Sequence, residues 1–119
     1  MFLDWCELLG KLKRSSNLIG DTNPGILQAY RDLTAAQGSN GALDTKTREL
    51  IALAVAVTTR CDGCISAHAA AAVHAGATRA EVSDALGTAI ALNAGAAYVY
   101  SLHAMEAIQS LTQVGSNGG

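Results

Sequence analysis

The chain has 119 residues, half of them apolar, 15% charged, with a formal net charge of −2. That length suits one domain, and the charge balance gives no electrostatic footprint for nucleic acid. A charged fraction well below the usual quarter implies apolar surface shared between subunits.

The predicted elements are all helical. A first helix runs from about Leu3 to Leu18, with Trp5, Leu8, Leu9 and Leu12 at helical spacing. The opening "MFLDWCELLG" lacks the basic start and unbroken apolar segment of a secretory signal. Lys11, Lys13 and Arg14 form a short basic cluster that reads as a solvated helix face. Asn23-Pro24 reads as an N-cap followed by proline at the first helical position, opening a helix to about Ala36. "QGSNGALD" is a loop, and Asp44 caps a third helix from about Thr45 to Thr59.

The run "LIALAVAV" has the length of a buried strand, but its alanines and its polar lead-in "DTKTRE" favour helix. No second strand-like segment exists to pair with it. A fourth helix spans about Asp62 to Ala75 and stops at Gly76. "TRAE" at 78–81 matches a capping box and opens a helix to about Asn93. "NAGAA" reads as a break, with a last helix from about Ala96 to Leu111 and a disordered tail over 115–119. That makes about six helices in one domain over 1–114. The stretch from Ala85 to Leu102 carries no charge, yet Gly87, Thr88, Asn93, Gly95 and Ser101 interrupt it. It reads as a buried or subunit-facing helical region rather than a membrane span.

The chemistry concentrates in "TRCDGCISAHAAAAVHAG". Cys61 falls at the start of a helix and Cys64 in its first turn, where unpaired backbone N–H groups and the helix dipole favour a thiolate. In such places a cysteine pKa drops from about 8.5 to about 3.5–7.5. Arg60 adds positive charge. Gly63 between the cysteines is expected to keep the turn open to solvent or substrate. His68 lies one turn beyond Cys64 on the same face and can exchange a proton with it. Histidine thus nominates Cys64 as the reactive thiol, whereas the dipole favours Cys61, and spacing leaves both open. Glu49 heads an apolar helix, where a carboxylate is costly unless paired or exposed. The short connection at 59–61 implies an antiparallel hairpin that sets Glu49 nearer His68 than Cys61. Three cysteines without an export signal point to a reducing cytoplasm.

The segment from Leu43 to Leu86 closely resembles the core of the carboxymuconolactone decarboxylase and alkylhydroperoxidase-D-like family. The resemblance rests on Glu49 opening an apolar helix, the C-x-x-C twelve residues later, the histidine that closes C-x-x-C-x-x-x-H, the "HAGAT" turn and the following "EV". It implies an all-α fold working as a trimer or hexamer, with thiol peroxidase chemistry. Cys64 would attack a hydroperoxide and become a sulfenic acid, and Cys61 would condense with it to a disulfide. Glu49 and His68 would relay protons, and a dithiol or a thiol protein would reduce the disulfide. No cofactor, metal, membrane or nucleic acid is implied. The peroxidase-type motif often carries a histidine just before the second cysteine, where this chain has Gly63. The decarboxylase branch typically lacks the cysteine pair.

Other readings compete. Cys61, Cys64 and His68 supply only three zinc donors, so His74, His103 or Glu49 would have to complete a structural site. A thioredoxin-like motif needs strands around it. Both cysteines can serve merely as small core residues. His74 is expected at the surface, His103 to be structural, Tyr98 and Tyr100 to be core or interface aromatics, and Cys6 to pack on an amphipathic helix. The expected activity is therefore reduction of hydroperoxides. A general disulfide oxidoreductase, or a non-catalytic redox-sensing or metal-binding helical oligomer, is the alternative.

Overall fold

The computed structural model describes residues 2–117, with the side chains of 116 and 117 left aside. It holds five helices: α1 (Trp5–Gly20), α2 (Pro24–Ala36), α3 (Thr45–Thr59), α4 (Asp62–His74) and α5 (Arg79–Asn117). No strand occurs among the described residues. The local capping signals act as expected. Asp4, Asn23 and Asp44 each accept an N-terminal amide of their helix, from Glu7, Ile26 and Thr47. Thr78 and Glu81 form a reciprocal box, the Thr78 N–H donating to Glu81 Oε1 at 2.9 Å and the Glu81 N–H to Thr78 Oγ1 at 3.1 Å.

α3 and α4 form the expected antiparallel hairpin, and α5 packs on α3 while α1 packs on α4 and α2. The turn between α3 and α4 is tight. Arg60 takes a left-handed conformation (φ 55°), and the Cys61 N–H reaches back to the Ala56 carbonyl at 3.1 Å. This closes α3 in the manner usually left to glycine; a non-glycine residue there costs about 1–3 kcal/mol. The end of α4 uses Gly76 (φ 86°) in the same role, with the Ala77 N–H bonded to the Ala72 carbonyl at 2.9 Å.

The count of about six helices is corrected to five. The break expected at 93–97 does not occur, because Asn93 is used as an anchor. Its Nδ2 donates to the Ala89 carbonyl at 2.7 Å and to Thr58 Oγ1 on α3 at 2.9 Å. α5 runs on to Asn117, and of the expected tail Gly118 and Gly119 lie outside the described residues.

Very little is buried among the described residues: Leu53, Ala56, Ala72 and Ala89 are the buried apolar ones, and Ser66 is the buried polar one. The accessible surface is 9092 Å², where a compact monomer of this mass exposes about 6,100 Å². The radius of gyration is 20.6 Å, against about 13.5 Å for a compact domain of this length. The stretch from Ala85 to Leu102 is accordingly mostly exposed, Ala89 being its buried residue: Ile90, Leu92, Tyr98, Val99 and Tyr100 are exposed. Tyr98 and Tyr100 are not core residues of the protomer, and His103 stacks on Tyr100 with ring centroids 4.7 Å apart. By length and composition alone, the part of α5 over 79–115 could also cross a membrane.

Candidate active site

The head of α4 carries the sulfur chemistry. Cys61 is the N-cap of α4, and its sulfur accepts the Cys64 N–H at 3.1 Å. Cys61 and Cys64 are joined by a disulfide. Cys61 is half-buried and Cys64 exposed. The two assignments that spacing left open therefore fall on different sulfurs. The helix terminus addresses Cys61, while access and the histidine address Cys64.

α3 and α4 bring Glu49 against His68. Glu49 Oε2 lies 2.6 Å from His68 Nδ1, with the carboxylate side chain 16% exposed and the imidazole 31%. An ionised Glu49 accepts, so Nδ1 carries the proton, and Nε2 is left as the exchangeable position. The costly carboxylate at the head of an apolar helix is thus paired, nearer His68 than Cys61 as the hairpin requires.

Cys64 and His68 open on one cleft of about 280 Å³. Its α3 wall is the stripe Arg48, Ile51, Ala52, Val55, Ala56 and Thr59, at successive steps of three and four residues. Of the four expected site residues, Cys64 and His68 line the cleft, Glu49 is joined to it through His68 and Cys61 through the disulfide. His74 is an exposed residue at the end of α4, and Cys6 is an exposed free thiol on α1; neither lines this cleft.

Gly63 departs from expectation. It is half-buried, and one side of it is covered. A Cβ there would meet Leu12 Cδ1 at 3.1 Å and Cδ2 at 3.2 Å. The cause is α1, which crosses the head of α4 and is tied to it by the Ser66 hydroxyl donating to the Trp5 carbonyl at 2.9 Å. Leu12 thus closes the side of the C-x-x-C turn away from the cleft.

Three site neighbours escaped the sequence reading: Leu12, 51 residues before Gly63, Gln37, read only as part of a loop, and Arg48, read only as part of a polar lead-in. The three- and four-residue steps from Arg48 to Thr59 were the available signal for Arg48. Among the described residues no group of three or more histidine, cysteine or acidic side chains is arranged to hold a metal ion.

The sequence profile of the carboxymuconolactone decarboxylase family matches residues 24–107, which include the whole hairpin and all four of these residues. An uncharacterized protein of Haemophilus influenzae is 63% identical over 107 residues, covering 90% of this chain and 95% of its own. A protein of Paracoccus denitrificans, described as uncharacterized protein 4 in cox locus, is 35% identical over 106 residues, or 87% of this chain and 93% of its own. An uncharacterized protein of Cupriavidus necator is 28% identical over 111 residues, or 93% and 98%.

Proposed function

Because the chain belongs to the carboxymuconolactone decarboxylase family, we propose that it is a thiol-dependent oxidoreductase that reduces hydroperoxides through a Cys61–Cys64 dithiol–disulfide cycle. One observation carries the reading: a bonded sulfur pair at the head of a helix, with its exposed member in the same cleft as an imidazole hydrogen-bonded to a carboxylate.

The Cys64 thiolate attacks the distal oxygen of the hydroperoxide. The O–O bond breaks, the sulfur is oxidised to sulfenic acid, and the alkoxide leaves as alcohol with a proton delivered by His68. Glu49 holds the imidazole and stabilises it when charged. The Cys61 thiolate then attacks the Cys64 sulfur, forming the disulfide and releasing water after a second proton transfer. A dithiol or thiol protein restores both thiols by exchange at the exposed Cys64 sulfur. Cys61 departs as a thiolate, stabilised by the Cys64 N–H and the helix terminus. The net reaction consumes one hydroperoxide and one dithiol and gives alcohol, water and a disulfide. It needs no cofactor or metal, and it suits a reducing cytoplasm.

The working form in this reading is a homo-oligomer, a trimer or hexamer. The surface in excess of a compact monomer is of the order buried in obligate assemblies. Asn93, His103 and Glu106 along α5 favour copies of this chain over lipid as its covering.

Gly63 under Leu12 favours a second reading, a general disulfide oxidoreductase, because no histidine stands beside Cys64 to speed peroxide cleavage. A steady-state assay of hydroperoxide consumption with dihydrolipoamide or a small dithiol as donor tests the proposal. Repeated turnover is expected. Loss of two thiols per chain without further consumption sinks it. Reduction of a disulfide-bonded peptide under the same conditions would then support the second reading.

A further inference from the structure

We infer that Arg48 recognises a carboxylate in the thiol cleft, so that the substrates of the proposed peroxidase are hydroperoxides of short apolar carboxylic acids. The inference rests on the peroxidase reading for the reaction, but not for the recognition.

Arg48 and His68 are the ionisable side chains lining the cleft besides the sulfur. His68 is engaged with Glu49. Arg48 makes no ion pair among the described residues; its contact is a 3.4 Å bond from Nη1 to the Leu43 carbonyl. Of the nearby carboxylates, Asp44 accepts the Thr47 N–H at 2.7 Å and feels the Arg48 charge more weakly, without forming an ion pair with it, and Glu49 holds His68. The guanidinium is positioned rather than loose, because it occupies the space where a side chain at Gly38 would project. Gly38 has φ 75°, so a residue without a Cβ meets both the turn and the close approach.

A half-buried guanidinium with most of its donors unused suits a carboxylate, which it binds through two parallel hydrogen bonds. Between Arg48 and the sulfur the α3 wall is apolar: Ile51, Ala52 and Val55. The hairpin offsets Cys64 from Arg48 by roughly 8–13 Å along the helix axis, at about 1.5 Å per residue. A six-carbon chain covers a distance of that order, with a hydrogen bond at its carboxylate end and a terminal hydroperoxide at the other. Its carboxylate would rest on Arg48, its methylenes on Ile51 and Val55, and its terminal hydroperoxide at Cys64. The cleft volume of about 280 Å³ suits a molecule of this size. The chemistry remains that of the cycle above: the O–O bond breaks, Cys64 is oxidised, and the hydroxy acid leaves.

Two measurements test this, in a Cys6→Ser background because Cys6 is an exposed free thiol. In the first, the reduced protein is alkylated with 6-maleimidohexanoic acid or its methyl ester, and the rate at Cys64 is followed by mass spectrometry. The acid-to-ester rate ratio is expected to fall about tenfold in Arg48→Gln. It should take an intermediate value in Arg48→Lys, which keeps the charge and loses the fork. If the Gln variant does not fold, the Lys variant decides: a lowered ratio supports the proposal and an unchanged one overturns it. In the second, kcat/KM is compared for 6-hydroperoxyhexanoic acid and its methyl ester. The wild type is expected to prefer the acid about tenfold or more, and Arg48→Gln to lose that preference. Turnover of acid and ester alike, with an Arg48-independent alkylation ratio, overturns carboxylate recognition and leaves the peroxidase reading standing. An Arg48-dependent ratio without turnover of either hydroperoxide sinks the peroxidase reading instead.

Discussion

The α3–α4 hairpin and the distal half of α5 obey opposite rules. In the hairpin the facing apolar positions are covered: Leu53 and Ala56 of α3 and Ala72 of α4 are buried, while Ile51, Val55 and Val73 on its outer faces stay exposed, and the carboxylate of Glu49 has its imidazole. Beyond Asn93, α5 offers Tyr98, Val99, Leu102, Met105, Ile108 and Leu111, all exposed. α3 is the element α5 packs on, through its first half. Burying one such side chain is worth about 1.5–3 kcal/mol, so a helix leaving six of them in water is incomplete alone. The contrast separates two kinds of information. The hairpin is held by contacts its own two helices supply; the second half of α5 leaves its apolar side chains exposed.

The sharpest break between the two regions comes at Cys64. Cys64→Ser is expected to reduce hydroperoxide consumption to the uncatalysed background while leaving assembly intact. Cys61→Ser should retain one turnover and leave a sulfenic acid that dimedone traps, read by mass. A trapped adduct on Cys61 instead would exchange the two roles.

Next in size is the converse test on α5. Met105→Asp with Ile108→Asp places two charges on the exposed apolar face. Desolvating such charges is expensive, so sedimentation should show smaller species than the wild type. The Glu49–His68 hairpin, folded by local contacts, should survive in the dissociated protomer as helical signal. An unchanged sedimentation coefficient would mean that this face is not the one covered.

Glu49→Gln comes third. It keeps the shape of the side chain and removes the charge that holds and stabilises His68. Partners of this kind typically change activity about 10–100-fold. The measurement is kcat/KM for a neutral hydroperoxide, with the Cys64 alkylation rate as a check that the sulfur stays accessible. An effect below twofold would leave Glu49 as an ordinary carboxylate of the first helical turn.

These tests fall on residues whose legibility in the sequence differed for physical reasons. Asn23-Pro24, Asp44 and the Thr78–Glu81 box act within four residues, so the chain announces them without its fold. The gathering of Glu49, His68 and the cysteines was also readable, because a hairpin with a short turn converts spacing into opposition. Asn93 was misread because its residue type disfavours helix interiors, while its actual bonds, to Ala89 and Thr58, need α3 alongside. Gly63 and Leu12 meet only once α1 has crossed α4, which no local pattern encodes. Arg48 was missed for a milder reason. Its stripe was visible, but a charged residue beside a cap reads as solvated until the loop at Gly38 is known to cover it.

That crossing of α1 gives the fourth prediction. Gly63→Ala would press a methyl group into Leu12 at 3.1–3.2 Å; overpacking of this kind costs about 1–3 kcal/mol, against which replacing a helical glycine returns up to about 1 kcal/mol, so a net loss is expected at the low end. Urea denaturation should record the loss. Leu12→Ala makes the room, so the double variant should be more stable than additivity of the two single changes allows. Additive losses would mean that Leu12 and Gly63 do not touch in solution.

The smallest effect concerns how α5 is fastened to α3 at its near end. Lys46 Nζ lies 2.8 Å from Glu81 Oε2, and the same carboxylate closes the capping box. The Lys46 hydrogen bond first, then the Thr78 bonds, hold Glu81 down from 4.5 to about 2. A carboxylate with a depressed folded pKa contributes stability above its unfolded value, near 4.5, and loses it as pH falls toward 2. Lys46 is raised above its usual value of 10.5 by the same contact. Its share is therefore present below 10.5 and lost as pH rises through its folded pKa. Both groups are substantially exposed, so the pair contributes little and should weaken with salt. Lys46→Met is expected to shrink the stability lost between pH 4.5 and 2 in low salt, and to do so less at high salt. The capping box survives that change, so some acid sensitivity should remain. If the acid limb of the stability curve is identical in the two proteins, the near end of α5 is held by Asn93 and the apolar contacts with α3 rather than by charge.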